Sequence, residues 1–162
     1  MPQQDVRKLL NDPVAQELLN SKTLARVAYI ALDGEPRVIP IWFHWNGEQL
    51  ILATAPTAPK VKALLRNPKV ALTIDENTFL PKALLVRGTA SSEIVDGIAP
   101  EQLEAAKKYL GEEQGRAWAE HGRGTYKQMA RISIQPEWVK IFDFKTRFPK
   151  ALADAMEEAK AR

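Results

Sequence analysis

LARVAYIALDGEPRVIPIWFHWNGEQLILAT, residues 24–54, is the stretch that decides the fold of this chain. Three runs rich in β-branched and aromatic residues are separated by Asp33-Gly34 and by Asn46-Gly47. Both dipeptides favour tight hairpin turns, because the central residues of such turns need positive φ. The stretch therefore predicts a meander of three antiparallel strands over 24–32, 35–45 and 48–54. Pro40 removes one ladder donor from the second strand, which predicts a bulge or a sheet edge there.

The rest of the chain continues with strands and helices in alternation. Apolar alternation predicts strands over 69–75, 83–95, 129–135 and 137–144, and Gly88 predicts a bend that takes the second of these from one side of a barrel to another. Helical spacing predicts helices over 5–20, 60–66, 100–120 with a break near Gly111, and 149–161. The pattern as a whole predicts an α+β barrel-like domain of six or so antiparallel strands.

Composition limits the class of protein further. The 162 residues predict a single domain over 1–162, with a core at about 24–144. The chain has no cysteine, which excludes disulfides, thiolate nucleophiles and cysteine-ligated metals. Residues 1–14 carry charges and no apolar run of secretory length, and no run elsewhere reaches membrane-spanning length, so we expect a cytoplasmic protein without membrane partners. A net charge of +3 suits a modest site for a small anion and does not by itself indicate nucleic acid.

The generic catalytic and metal motifs are missing from the sequence. It contains no G-x-S-x-G elbow, Walker loop or H-E-x-x-H motif, and no histidine–carboxylate cluster at metal spacing. His44, near a turn, and His121, in a predicted glycine-rich loop, are interpreted as surface or packing residues. Gly122-Arg123-Gly124 lacks the third glycine and the strand–helix context of a dinucleotide site. We therefore predict neither a catalytic side chain nor a metal site.

The segment after Thr54 has the composition of a phosphate site. Lys60 falls in the first turn of a predicted helix, where a cation opposes the positive end of the helix dipole. A bound anion would reverse the sign of that interaction, and the free backbone N–H groups of a helix start bind phosphate. The alternative, that Lys60 points into water, is equally compatible with this feature alone.

Arg37 opens the second predicted strand. If the Asn46-Gly47 hairpin pairs that strand with the third along its length, Arg37 lies near Thr54 and the helix start. Two cations would then converge on one phosphate. Trp42, Phe43 and Trp45 provide flat apolar surface on the same strand, for core packing or for a planar ring.

On these residues the sequence resembles the pyridoxamine 5′-phosphate oxidase-like superfamily of FMN-binding split β-barrels. The resemblance runs from about residue 24 to residue 144 and is carried by the meander, APKVKALLRNPKVALTID, LLVRGTA and ARISIQPEWVKIFDF. It implies an antiparallel split β-barrel that forms a homodimer, with flavin at the interface. By position, Arg37 and Lys60 would hold the phosphate and Thr54 the phosphate or ribityl chain, while the backbone of Val38, Ile39, Pro40 and Ile41 would lie against the isoalloxazine.

The chain departs from this family pattern at the helix start. Where the family often has serine and arginine before the lysine, this sequence has Ala58 and Pro59. A hydroxyl and a guanidinium are thereby removed from the phosphate clamp. Arg87 or a residue of the second copy is the candidate replacement.

The resemblance implies hydride transfer through FMN to an unidentified small substrate. Two alternatives use the same groove: a deazaflavin-dependent reductase, and a non-catalytic binder of flavin or tetrapyrrole-like planar anions. Nucleic-acid binding through Lys60, Lys62, Arg66 and Lys69 is a third alternative, which predicts a steep loss of affinity with salt.

Overall fold

The computed structural model describes residues 5–161, so that residues 1–4 and 162 of the predicted domain lie outside the described part. Within residues 5–161 there are seven strands and six helices. The strands are β1 (Ala25–Ile30), β2 (Pro36–Ile41), β3 (His44–Trp45), β4 (Leu50–Thr54), β5 (Lys69–Asp75), β6 (Lys82–Asp96) and β7 (Gln128–Asp143). The helices are α1 (Val6–Leu10), α2 (Pro13–Leu19), α3 (Pro59–Arg66), α4 (Pro100–Leu110), α5 (Glu112–Thr125) and α6 (Lys150–Lys160).

All seven strands join one antiparallel sheet in the order β2-β1-β5-β6-β7-β4-β3. The two edge strands, β2 and β3, follow one another in the chain and are separated only by Trp42 and Phe43. Because consecutive Cα atoms lie about 3.8 Å apart, the two edges of the sheet must approach each other at this point. The sheet is therefore a barrel that is split between β2 and β3, which confirms the predicted fold class.

The meander differs from its prediction in one respect. The strand predicted over 35–45 is divided: β2 pairs with β1, and only β3 pairs with β4 across the Asn46-Gly47 turn. Pro40 lies on an edge strand, as its missing N–H predicted.

Three further elements differ from their predictions. The helix predicted over 5–20 is two helices, because Asp12 caps α2 and Pro13 occupies its first turn. The strands predicted over 129–135 and 137–144 are one strand, β7, which pairs with β6 along its length. His121 lies in α5 and not in a loop, since that helix continues through Gly122 to Thr125.

Gly88 marks the bend predicted in β6. The pairing of β6 with β7 shifts register between Arg87 and Gly88, where Gly88 lies opposite Pro136. A Cβ atom at Gly88 would overlap the carbonyl oxygen of Gln135, so the close approach of the two strands requires glycine.

Large apolar side chains from both halves of the barrel fill its interior. The largest fully buried ones are Phe43, Leu18, Leu19, Leu50, Ile51, Leu52, Ile74, Leu84, Ile132, Ile134, Val86 and Val139. The rings of Trp42 and Tyr109 stack at 5.3 Å, which ties α4 to the segment between β2 and β3. Phe43 is fully buried, so its role is core packing, whereas Trp42 and Trp45 are half-buried. Within residues 5–161, no helix combines the length and the apolarity needed to cross a membrane.

Candidate functional site

Lys60 and Thr54 meet where β4 leads into α3. The Lys60 ammonium donates to the Thr54 hydroxyl with an Nζ–Oγ1 distance of 3.4 Å. Both side chains are half-buried, and burial lowers the pKa of Lys60 from its ordinary value. Among the described residues no carboxylate forms an ion pair with Lys60. The ammonium is thus partly dehydrated without an opposite charge, which favours an anionic ligand.

The first turn of α3 adds positive potential beside this ammonium. Ala58 is the N-cap residue and offers no side-chain acceptor, and the first turn contains no acidic residue. The helix dipole therefore presents its positive end without compensation from its own chain. The chemistry of the donors fits a phosphate group, with Lys60, the Thr54 hydroxyl and the α3 amides as its contacts.

Arg37 does not reach this site through the pairing that the hairpin predicted. It lies opposite Tyr29 of β1, and its guanidinium forms an ion pair with Asp33 at 2.5 Å. The expected register was wrong because no residue before His44 pairs with β4: the ladder between β3 and β4 starts at the His44–Ile51 pair. The preceding strand β2 pairs with β1 instead. Strand pairing therefore does not bring Arg37 and Thr54 together.

The segment from Val38 to Ile41 forms most of the edge strand β2. Among the strands of residues 5–161 it pairs with β1 alone, and Val38 is 67% exposed. An exposed edge leaves backbone N–H and C=O groups open to a ligand on the side away from β1.

A shallow apolar groove crosses the outer face of the sheet next to this edge. Five residues that pair successively across β2, β1, β5, β6 and β7 form its central row, which we call the shelf: Val38, Ala28, Ala71, Arg87 and Trp138. The groove has a volume of about 390 Å³. Alanines on the second and third of these strands, β1 and β5, make a low floor, and the Arg87 guanidinium lies 4.0 Å over the Trp138 ring at one end. This shape accommodates a flat or rod-like apolar body. A cation–π contact holds Arg87 against Trp138.

Sequence reasoning singled out Val38 and Arg87 but missed the other three shelf residues. Ala28, Ala71 and Trp138 belong to predicted strands, yet only the strand order places them in one row. Alternation along each strand was the available signal, since it assigns a residue to a face, but it does not say which strands are neighbours.

Lys108 is another lysine in an unusual environment, and sequence reasoning missed it. Its ammonium lies 3.7 Å from the Phe43 ring centroid and 4.7 Å from that of Tyr109. The Nζ atom is buried without a hydrogen-bond acceptor, and burial lowers the pKa of Lys108 to about 8. Burial also raises the pKa of Tyr109 to about 12, and the Tyr109 hydroxyl donates to the carbonyl of Thr23. The cluster joins α4 to the barrel, and we assign it a packing role.

Histidines play no part in either candidate region. His44 lies in β3 and His121 in α5, and no group of three or more metal-ligating side chains is found within residues 5–161.

Comparisons with known proteins place the chain among split barrels. A family model described as pyridoxamine 5′-phosphate oxidase matches residues 12–142. A search of curated protein sequences finds no significant match.

Solved structures share the fold at low identity. A conserved hypothetical protein from Mycobacterium tuberculosis is 20% identical, with a TM-score of 0.65 over 86% of this chain and 89% of its own. HutZ, described as the heme storage protein of Vibrio cholerae, is 21% identical, with a TM-score of 0.58 over 82% and 93%. A protein described as an F420 reductase is 21% identical, with a TM-score of 0.58 over 77% and 94%.

Proposed function

Since the chain belongs to the pyridoxamine 5′-phosphate oxidase family, we propose that it is a cytoplasmic flavin-binding oxidoreductase that transfers hydride through FMN to a small substrate. The observation that carries the proposal is the half-buried Lys60 ammonium, which has no carboxylate partner among the described residues and stands at an uncapped helix start. An FMN phosphate supplies the charge that this arrangement favours.

The residues of the chain bind and orient the cofactor in this proposal. Lys60 and the first amides of α3 hold the phosphate, and the Thr54 hydroxyl holds the phosphate or the ribityl chain. Arg37 is assigned to the clamp by its position in the family pattern, and it would have to exchange its exposed Asp33 partner for the phosphate. The backbone of β2 from Val38 to Ile41 would contact the ring system through the N–H and C=O groups that are open at this sheet edge. When bound, the flavin supplies the hydride chemistry, so no catalytic side chain is required.

A second copy of the chain completes the site. The apolar shelf and the exposed Val38 leave one face of the sheet uncovered, and a homodimer covers such a face. Covering it excludes water from the neighbourhood of the ring, which favours hydride transfer over side reactions.

The deazaflavin coenzyme is the alternative cofactor. Ala58 and Pro59 provide no hydroxyl and no guanidinium at the helix start, which weakens a clamp for the phosphate of FMN. One structural neighbour is described as an F420 reductase. The same sparse clamp is compatible with a non-catalytic binder of planar anions, and another neighbour is described as a heme storage protein.

Titration of cofactor-stripped protein with FMN, the deazaflavin coenzyme and hemin in parallel tests the proposal. We expect FMN to bind with micromolar or tighter affinity, and Lys60→Ala to weaken its binding about 10- to 100-fold, the value of one charge-assisted contact. Folding should change little, because Lys60 contributes no core packing. Lys62→Ala is the matched control, since Lys62 is exposed two positions further along α3.

Two results would contradict the proposal. If Lys60→Ala binds FMN as tightly as the parent, the phosphate assignment is wrong. If FMN binds but a nicotinamide donor does not reduce it under anaerobic conditions in a donor screen, the binder alternative replaces the enzyme.

A further inference from the structure

The Asn46-Gly47 turn carries an arrangement of polar groups that the proposed function does not use. Gly47 and Glu48 lie at the tip of the hairpin between β3 and β4, and the Asn46 N–H donates to the Gln49 carbonyl at 3.2 Å. Asn46, Gly47 and Glu48 are all exposed, so water reaches the turn. No other asparagine of the chain precedes a glycine.

Two backbone donors hold the side-chain carbonyl of Asn46. Its Oδ1 atom accepts from the Glu48 N–H at 2.9 Å and from the Gln49 N–H at 2.8 Å. Two donors that converge on one carbonyl oxygen stabilise the oxyanion that forms when a nucleophile adds to the carbonyl carbon. The turn therefore activates the Asn46 amide toward attack at Cγ.

The backbone nitrogen of Gly47 is the nucleophile that the covalent structure places next to this amide. Its attack on Asn46 Cγ closes a ring of five atoms, which is the ring size that forms most readily. Within residues 5–161 the Gly47 N–H has no hydrogen-bond acceptor. A Cβ atom built at Gly47 would meet nothing within 4 Å. Neither a hydrogen bond nor a neighbouring side chain thus obstructs the nitrogen.

The other hairpin turn, Asp33-Gly34, lacks this activation although its sequence is similar. Asp33 accepts from the Glu35 N–H at 3.0 Å and forms an ion pair with Arg37. The Glu35 N–H and, after it, the Arg37 guanidinium lower the pKa of Asp33, so its side chain is ionised. An ionised carboxylate has no neutral leaving group and resists attack by an amide nitrogen. The structure thus distinguishes two turns that the sequence motif treats alike.

We propose that Asn46 is a site of succinimide formation at which the turn itself stabilises the intermediate. The Gly47 nitrogen bonds to Asn46 Cγ while its proton passes to solvent, and the bond from Cγ to Nδ2 breaks to release ammonia, which takes its third proton from solvent. Water then opens the ring at either carbonyl and leaves aspartate or isoaspartate at position 46. One water is consumed and one ammonia is released, and no oxidant takes part. This goes beyond the proposed function, because the flavin site is not involved.

Isoaspartate at position 46 releases β3 from the sheet. Its backbone runs through Cβ, which adds one atom to a turn whose two-residue length fixes the strand register. β3 is an edge strand that two residue pairs hold to β4. β4 itself stays paired with β7 as far as Thr54, so the Lys60–Thr54 contact is retained. The modification therefore loosens one edge of the split barrel and leaves the candidate phosphate site in place.

Peptide mass spectrometry of the purified full chain, incubated at mildly alkaline pH and physiological temperature, tests the site. A carboxyl methyltransferase specific for isoaspartate labels the isomerised product. We expect Asn46 to convert at least about tenfold faster than Asn77, which is also exposed but precedes Thr78 and has no donor on its amide oxygen within residues 5–161. Asn46→Gln is the matched control, because its longer side chain would have to close a six-membered ring, and it should stay unconverted over the same time.

Unfolding the same chain in guanidinium chloride separates the effect of the turn from that of the Asn-Gly sequence. The two donors converge on Oδ1 only in the folded state, so we expect Asn46 to convert about tenfold faster when folded. This is less than the roughly 10²–10³-fold effect of one oxyanion donor in an enzyme, because the turn must bend to join Gly47 N to Cγ. Folded conversion that is no faster than unfolded conversion would overturn the proposal, as would equal rates at Asn46 and Asn77.

Limited chymotrypsin digestion of the incubated protein measures the consequence for β3. We expect cleavage after Trp45 to be at least about fivefold faster in the isoaspartate form than in Asn46→Asp, which carries the same charge without the added backbone atom. Equal cleavage of the two would overturn the release of β3. Conversion at Asn46 is measured without flavin, so a chain that fails to bind FMN contradicts the proposed function and leaves this inference intact.

Discussion

At the residue scale, the chain keeps two lysines in positions that their own environment disfavours. Lys60 stands at the positive end of a helix, and the ammonium of Lys108 is buried against aromatic rings without an acceptor. Burial lowers the pKa of both. The two differ in access to a ligand, because Lys60 lies at an open helix start, whereas the Lys108 ammonium is buried between α4, its own helix, and the Phe43 ring. We therefore propose different roles for the two lysines.

Ala58→Ser tests the uncapped start of α3. A serine at the N-cap accepts a hydrogen bond from an amide of the first turn, so we expect the variant to be more stable by about 1 kcal/mol. For a domain of this size, that corresponds to a rise in Tm of about 2–4 °C by differential scanning calorimetry. Ala58→Val is the control, since valine has no acceptor and should give no rise. A Tm unchanged by serine would show that α3 is capped in another way.

Lys108→Met tests the buried ammonium. The folded protein holds this proton less tightly than the unfolded chain, because burial lowers the pKa to about 8 from 10.5. The charge therefore opposes folding below about pH 8, and stability rises as pH increases from about 8 to 10.5. We expect Lys108→Met to be more stable by about 1 kcal/mol at pH 7. This gain is smaller than the full pKa shift of Lys108 would give, because the side chain is partly exposed to water.

Urea unfolding at pH 7 and pH 10 measures this difference. The advantage of Lys108→Met should shrink at pH 10, where the parent has lost most of the charge. Lys107→Met, at the neighbouring exposed position, should stay within about 0.5 kcal/mol of the parent. An advantage that is the same at both pH values would contradict the assignment to charge burial.

At the scale of elements, the long strands β6 and β7 organise the molecule. They pair from the Lys82–Asp143 pair at one end to the Asp96–Gln128 pair at the other, and the bulge at Gly88 changes their direction midway. The first half of β6 also pairs with β5. The end of β7 near Gln128 pairs with β4. The bend thus connects the half of the sheet that carries the shelf to the half that leads into α3.

Gly88→Ala tests the bulge. Because the added methyl group would overlap the Gln135 carbonyl oxygen, the strands must separate, and we expect a loss of at least about 3 kcal/mol in the free energy of unfolding. Gly124→Ala is the matched control. Its added methyl group meets nothing within 4 Å, and alanine favours helix over glycine, so it should be neutral or stabilising by up to about 1 kcal/mol. Equal effects of the two substitutions in urea unfolding would contradict the close approach at the bulge.

At the scale of the whole molecule, ionised carboxylates form contacts both between distant segments and within turns. Arg131 of β7 holds Glu101 of α4 at 2.6 Å and lowers its pKa. The Thr89 hydroxyl and then Lys69 lower the pKa of Glu137, which lies at the bulge between the strand partners of Arg87 and Gly88. Backbone N–H groups of Lys145 and Glu35 are the main causes that lower the pKa of Asp143 and Asp33. These contacts favour the charged form, so the folded state depends on it.

The sign of this dependence predicts acid destabilisation. Each of these carboxyls has a folded pKa below its ordinary value of 3.8 or 4.5, so its contribution is complete above the ordinary value and is lost as pH falls through the folded one. We expect Tm to vary little between pH 7 and about 5 and to fall steeply below about 4. Glu101→Gln should lower Tm at pH 7 and show a smaller further loss in acid. A parent Tm that stays constant down to pH 2.5 would contradict this account.

The sequence by itself determined the local structure. The two hairpin turns, the edge position of Pro40, the helix after Thr54 and the bend at Gly88 all follow from the conformations that a few residues allow. The Lys60–Thr54 contact was also predictable, because strand end and helix start are six positions apart. Turn residues and helix starts act on residues that are close in the sequence. Such short-range effects can be predicted from the sequence alone.

Only the tertiary structure decided which strands are neighbours. It separated β2 from β4, gave Arg37 the partner Asp33, and aligned Ala28, Ala71 and Trp138 in one shelf. It also left α6 without a fully buried residue. Strand order depends on how the whole set of apolar faces packs into one interior, and residues far apart in the chain contribute to that packing together. For this reason the candidate phosphate site could be predicted from one segment, whereas the shelf required the folded molecule.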